Sequence, residues 1–165
     1  MIFRAILLVI SFNIAGSQIA AQQRKPYLPF QLTHEATGHT LNSTQCFSAD
    51  DSWVVFDTRN DDTKIGSTHR IGILNLHTNE IKTLYNNPHT TEYGPGVGAA
   101  TFSPKENRVL FIQGILNADK NKPYGTTRRT GVSILLQHPD SLLYMDARNI
   151  YPPFTSGALR GSTHA

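Results

Sequence analysis

Two stretches of the chain place polar turns and short apolar runs in the same order. CFSADDSWVVFDTR, Cys46 to Arg59, lies over TFSPKENRVLFIQG, Thr101 to Gly114, without a gap. Phe47 falls on Phe102, Ser48 on Ser103, Val54 on Val109, Val55 on Leu110 and Phe56 on Phe111. In the first copy Ser48 to Ser52 has the composition of a turn, and Trp53 to Phe56 is a β-rich run bounded by polar residues. In the second, Ser103 to Asn107 takes the turn and Val109 to Ile112 the strand, with Pro104 suited to an early turn position because its φ is already fixed.

Each copy is followed by a further match, Arg70-Ile71-Gly72-Ile73 answered by Arg129-Thr130-Gly131-Val132. Ile73 to Leu76 and Ile81 to Tyr85 then flank His77-Thr78-Asn79-Glu80, which has the proportions of a hairpin with Thr78-Asn79 at its tip. Four strands are therefore expected between Gln45 and Tyr85. No segment after the first residues sustains a 3.6-residue apolar period with helix caps, so the expected class is all-β. Self-similar units of about four strands at roughly 40 to 60 residues predict antiparallel β-propeller blades, two to three of them. The alternative is a small β-sandwich with two similar hairpins.

FSADDSWVVF and FSPKENRVLF resemble the F-S-P-D-G-x-x-[IVL]-[AV]-F core of TolB-like and related WD-type propeller repeats, although neither copy carries the turn glycine, which Asp51 and Asn107 approach. WVVFDTR and HPDSLLYMDARNIYPPFTSGALRGSTHA are similar to an uncharacterised bacterial propeller family with a D-x-R after the first strand pair and a P-[FY]-T-x-G-A-L-R-G-G-[ST]-H segment. The resemblance runs from about Thr33 to Ala165 and is most specific in TSGALRGSTH. It implies a partial propeller, because closure takes at least four blades; the expectation is a fragment completed by the remaining blades of a longer chain, the alternatives being an incomplete gene product or the assembly of several copies. The expected layout is a signal peptide over 1–21, a lead-in segment over 22–32 and the partial propeller over 33–165. Within it, blade repeats fall around 45–85 and 100–136, and a further blade starts at 150–165.

The export expectation rests on Arg4, the apolar run Ala5 to Ile14 and the small residues before Gln22, the pattern of a cleaved secretory signal with its cut after Ala21. A run of that length is too short to span a ~30 Å hydrocarbon core as a helix, so no stable membrane span is expected after cleavage. The destination is periplasmic or extracellular. With 15 basic against 12 acidic residues the formal charge is only +3, and the basic residues are scattered, which excludes a nucleic-acid stripe. Cys46 is the only cysteine, so no internal disulfide forms, and its strand context predicts a buried, inert thiol. Asn42-Ser43-Thr44 matches a glycosylation acceptor, relevant only in a eukaryotic secretory host.

His34-Glu35-Ala36-Thr37-Gly38-His39 suggests a zinc-protease helix, but its second histidine lies one position too far along, about 100° round a helix, and Gly38 weakens any helix there. Gly94-Pro95-Gly96-Val97-Gly98 leads into the strand-like Ala99 to Phe102 instead of a helix, so it reads as an inter-blade loop passing close to a central channel, not as a phosphate cradle. His69, His77, His89 and His138 stand singly in polar loops or turns and read as solvated. No nucleophile elbow or Cys–His pair is recognisable, and the sequence nominates neither a cofactor nor a complete metal site.

The candidate ligand-binding residues are Asp57, Arg59, Arg160 and His164. Asp57 and Arg59 leave one strand on the same side by alternation, and their structural alternative is a blade-to-blade ion pair. Arg160 and His164 sit in a Gly-rich approach to the next blade, where an Arg can grip carboxylate or phosphate and a His can ligate metal. The functional expectation is an exported binding or scaffolding protein for a protein or glycan ligand. The alternative, by fold analogy, is a metal-dependent lyase or hydrolase acting on acidic oligosaccharides at the propeller channel.

Overall fold

The computed structural model describes residues 27–42 and 45–145. The expected signal peptide, Arg160 and His164 lie outside the described residues. The chain divides into Met1–Gln31 and Leu32–Ala165. The described part of the first unit, residues 27–31, carries no helix or strand.

The second unit is all-β. Three strands, β1 (Trp53–Asp57), β2 (Arg70–Asn75) and β3 (Ile81–Asn86), form one antiparallel sheet in chain order. Four more, β4 (Val97–Phe102), β5 (Arg108–Gly114), β6 (Arg129–Leu135) and β7 (His138–Tyr144), form a second antiparallel sheet, also in chain order. The two copies of the repeated sequence thus supply β1, the edge strand of the first sheet, and β5, the second strand of the next, each followed by two antiparallel strands. The Ser48–Ser52 turn closes through Asp51 N to Ser48 O at 2.9 Å, and Asp50 Oδ1 accepts from the Ser48 and Ser52 hydroxyls at 2.6 and 2.7 Å. In the second copy the Ser103 hydroxyl takes over, accepting from Lys105 N and Glu106 N. The β2–β3 hairpin turns at Thr78-Asn79 as the sequence predicts. Asn75 Oδ1 accepts from His77 N and Thr78 N, and Asn79 takes the left-handed conformation that Asn tolerates.

The core lies between the sheets. Val55, Ile71, Ile73 and Leu84 from the first meet Val97, Phe102, Val109, Phe111, Val132 and Ile134 from the second, most of them fully buried. Alternation explains the selection: in β5 Val109, Phe111 and Gln113 share the inward face, and in β6 Thr130, Val132 and Ile134 do so. Cys46 is buried in the same cluster, as its strand context predicts. A hydrogen bond from Tyr85 Oη to Gln113 Oε1, 2.9 Å, joins the sheets inside this apolar layer.

Three expectations are corrected. The first repeat does not hold four strands between Gln45 and Tyr85 but three. Among the described residues, the stretch before β1 meets it at isolated bridges, Thr40 to Asp57 and Phe47 to Val54, and forms no strand matching β4. Side-chain bonds replace a ladder there: Thr40 Oγ1 donates to Arg59 O at 3.1 Å and Asn42 Oδ1 accepts from Arg59 Nη2 at 3.2 Å. The second repeat is longer than 100–136, because its sheet begins at Val97 and ends with β7. Accordingly His138 is not a loop residue; it opens β7, exposed. His69, His77 and His89 are exposed outside the strands, as expected.

Candidate functional site

In two meandering sheets, the links β1–β2, β3–β4 and β5–β6 all leave from the same end. The first contains a six-residue 3-10 helix, Asp62–Ser67, capped by Asp61, whose carboxylate accepts from Thr63 N at 2.8 Å and is held below its ordinary pKa chiefly by that bond. The second is the Gly-rich segment before β4. The third runs from Ile115 to Arg128. Backbone bonds lock them together: Val97 N to Thr68 O, Gly114 N to Gly96 O and Tyr124 N to Tyr93 O, each 2.8 Å. Asn87 Nδ2 and Thr90 Oγ1 both donate to Pro95 O.

Gly96 and Gly98 are needed for this closeness. A Cβ at Gly96 would lie 1.9 Å from Ile65 O, and one at Gly98 would lie 2.8 Å from Ile65 Cγ1 and 3.0 Å from Asp57 Oδ2. These glycines therefore make room for the 3-10 helix, a close approach that their Gly-rich context suggested without naming the partner.

Asp57 and Arg59 are brought together and buried, at 0 % and 5 % exposure. Arg59 Nε donates to Asp57 Oδ1 at 2.7 Å, and Arg59 N donates to the same oxygen at 3.2 Å. Asp57 Oδ2 accepts from Ala99 N at 3.0 Å. That amide is free of the β4–β5 ladder because the register slips between Gly98 and Thr101, and Ala99 sits in the left-handed region at φ 56°. The bulge turns a buried donor away from its own sheet, and the carboxylate of the neighbouring sheet satisfies it. Arg59 also reaches Asn42 and the carbonyl of Asp62. Among their described neighbours, both carboxylate oxygens and each guanidinium nitrogen thus have a protein partner within 3.5 Å.

Solvent reaches this end of the sheets at two clefts flanking the 3-10 helix. One, of about 310 Å3, is lined by Thr37, Arg59, Asn60, Lys64, Ser67 and His69 among others, and no Asp or Glu lines it. The other, of about 340 Å3, is lined by Lys64, Ser67, Glu92, Tyr93, Pro123 and Tyr124 with Thr63 and Gly66. A hydrogen bond from Tyr93 to Glu92 raises the Tyr93 pKa. Tyr124 packs its ring against Gly66 and Gly114, and its buried hydroxyl has no hydrogen-bond partner among the described residues. The two tyrosines, not singled out from the sequence, stand in Glu92-Tyr93-Gly94-Pro95 and Pro123-Tyr124-Gly125; an aromatic residue in a Gly- and Pro-bounded loop is the signal that would have pointed to this surface.

The Glu35–His39 segment forms an ordinary surface cluster. Arg70 Nη2 donates to Glu35 Oε2 at 2.6 Å, His39 Nε2 lies 3.1 Å from the same oxygen, and the His39 ring packs on Phe56 at 4.4 Å. The Arg70 hydrogen bond is the main cause of a lowered Glu35 pKa. Among the described residues, no group of three His, Cys, Asp or Glu could hold a metal ion, and no helix is long and apolar enough to cross a membrane.

Fold and site together define an all-β protein of tandem antiparallel sheets whose connecting loops converge at one end. A family model described as a protein of unknown function, DUF3748, matches residues 96–165. The chain is similar to uncharacterized protein YidR of Escherichia coli strain K12, 33% identical over 135 residues that cover 81% of this chain and 30% of that protein. It therefore spans less than a third of that relative's length. No solved structure matches.

Proposed function

We propose that the chain is part of an exported, propeller-type binding or scaffolding protein, in which β1–β3 and β4–β7 are successive blades and further blades of a longer chain complete the ring. The observation that carries the reading is the repeat itself. One sequence pattern recurs as β1 and β5, each followed by two further antiparallel strands of its own sheet, in two sheets that are consecutive along the chain. Blade-to-blade packing accounts for what lies between them: an apolar layer, the Tyr85–Gln113 bond and the Asp57–Ala99 bond. In such a ring, loops gathered at one end form the surface that meets a ligand, because irregular loops on a rigid scaffold carry recognition. The loop cluster around Asp62–Ser67 is that surface here. Arg160 and His164 belong to the proposed start of the next blade and would extend it.

Export is part of the same proposal and rests on the residues before Gln22. Fractionation of the native host followed by mass spectrometry tests it: a processed N-terminus near Gln22 outside the cytoplasm is expected, and intact Met1 in the cytoplasm would overturn it. Small-angle scattering of the full-length protein tests the ring, with a flat, disc-like particle expected and an elongated string of separate domains counting against it.

A further inference from the structure

The 3-10 helix Asp62–Ser67 stands between two clefts that share Lys64 and Ser67, so the pair forms one groove wrapped around that helix. Its two halves differ in chemistry. The half toward His69 carries Lys64, the edge of Arg59 and hydroxyl or amide side chains, with no carboxylate. The half toward Tyr93 offers two phenol rings and Pro123, with hydroxyls and one carboxylate. Lys64 is exposed and forms no ion pair within 4.0 Å among the described residues; the Asp61 carboxylate accepts from the Thr63 amide and hydroxyl and lies near enough to feel the Lys64 charge. Glu92 is engaged by Tyr93. The buried Tyr124 hydroxyl beside the groove has hydrogen-bonding capacity that no described group uses.

We propose that this groove binds an acidic saccharide, with sugar rings lying against Tyr93, Tyr124 and Pro123 and a sugar carboxylate meeting Lys64 and His69. Flat aromatic and proline surfaces suit the C–H faces of sugar rings, while hydroxyl-bearing side chains exchange hydrogen bonds with sugar hydroxyls. The cationic half supplies the anion preference, since a carboxylate placed there meets Lys64 and finds no acidic side chain lining the wall. Each half is at the small end of the usual range for ligand pockets, a size that suits one or two sugar rings per half. Fixed backbone bonds among the three links hold the walls in place before any ligand arrives.

The proposal rests on the binding-module reading for its biological use, yet every lining residue belongs to the two described sheets, their links or, for Thr37, the described segment before β1, so the groove does not depend on ring closure. Isothermal titration of the full-length protein with trigalacturonate and with its fully methyl-esterified form separates charge from shape. The acid is expected to bind, and the ester to bind roughly two- to fivefold more weakly, within what one exposed ion pair contributes. Lys64→Ala is expected to abolish that difference while circular dichroism stays native. Tyr93→Ala is expected to weaken both forms, and Lys105→Ala, in the distant β4–β5 turn, to leave both unchanged. Absence of binding by either form, equal binding of acid and ester, or competition by inorganic phosphate alone at equal strength would overturn the proposal. A scattering profile incompatible with a disc, alongside intact binding, would overturn the ring and leave the groove standing.

Discussion

The Asp57 carboxylate, at the end of one sheet, accepts the Ala99 amide of the next at 3.0 Å, while its other oxygen holds Arg59 at 2.7 Å. One buried side chain thereby satisfies a bulge in a neighbouring strand and neutralises a buried cation. Replacing Asp57 with Ala leaves the buried Arg59 charge with only the exposed Asp62 carboxylate, 3.9 Å away, and the Ala99 donor unpaired. Breaking such a pair from one side costs about 3–5 kcal/mol, so urea melts of Asp57→Ala are expected to show a loss of that order. The double variant Asp57→Ala/Arg59→Ala is expected to lose less than the sum of the single variants, because no lone charge remains. A loss under about 1 kcal/mol in Asp57→Ala would contradict the clamp.

The close approach of the Gly-rich link to the 3-10 helix makes a second prediction. A methyl group at Gly96 would lie 1.9 Å from the Ile65 carbonyl oxygen, backbone that cannot swing aside. Gly96→Ala is expected to destabilise by about 1–3 kcal/mol or more, as overpacking does. At Gly125 a Cβ meets nothing within 4 Å, and Gly125→Ala is expected to stay within about 0.5 kcal/mol of the parent protein. Thermal melts of the two variants side by side check this, and equal melting temperatures would refute the packing argument.

Between the sheets, Gln113 is 1 % exposed and its carbonyl oxygen accepts from the Tyr85 hydroxyl. Tyr85→Phe keeps the ring tilted against Phe111, 5.2 Å between centroids, but strands the Gln113 oxygen in an apolar layer. Leaving a buried acceptor unpaired costs about 1–3 kcal/mol, so this loss is expected in denaturant melts. Tyr85→Phe with Gln113→Leu, which removes both partners, is expected to recover most of it.

Asp50 organises the first-copy turn, and hydrogen bonds from Ser48, then Ser52, lower its pKa from 3.8 to about 2. A lowered folded-state value means the carboxylate form is favoured by folding. That stabilisation is fully present above the unfolded value near 3.8 and is lost as the pH falls through about 2. A carboxyl-detected NMR titration is expected to place Asp50 near 2 in the wild type and higher in Ser48→Ala. An Asp50 that titrates near 3.8 in the wild type would refute the turn geometry.

These predictions divide along the line of what local sequence can carry. The Ser48–Ser52 and Ser103–Asn107 turns, β1, β5, the Thr78-Asn79 hairpin tip and the burial of Cys46 follow from turn chemistry and alternation within a few residues. Alternation also put Asp57 and Arg59 on one side, and left open whether they meet a ligand or each other. The 3-10 helix Asp62–Ser67 was not legible, because six residues are too few for any apolar period. The edge of the first sheet was not legible because Thr40 and Asn42 are held by Arg59 and Phe47 meets β1 at a bridge, contacts that no spacing rule encodes. The groove was missed for the same reason: Lys64, Tyr93 and Tyr124 come from three different links and meet only once the sheets are assembled.

The most direct test of the account is a crystal structure of the full-length protein that traces every strand. The account predicts at least four antiparallel sheets arranged around one axis, with β4 the innermost strand of its sheet and the Asp62–Ser67 loop cluster on a face of the ring. A two-layer sandwich in which β1–β3 and β4–β7 close on each other, with no further sheet packed against either, would contradict it.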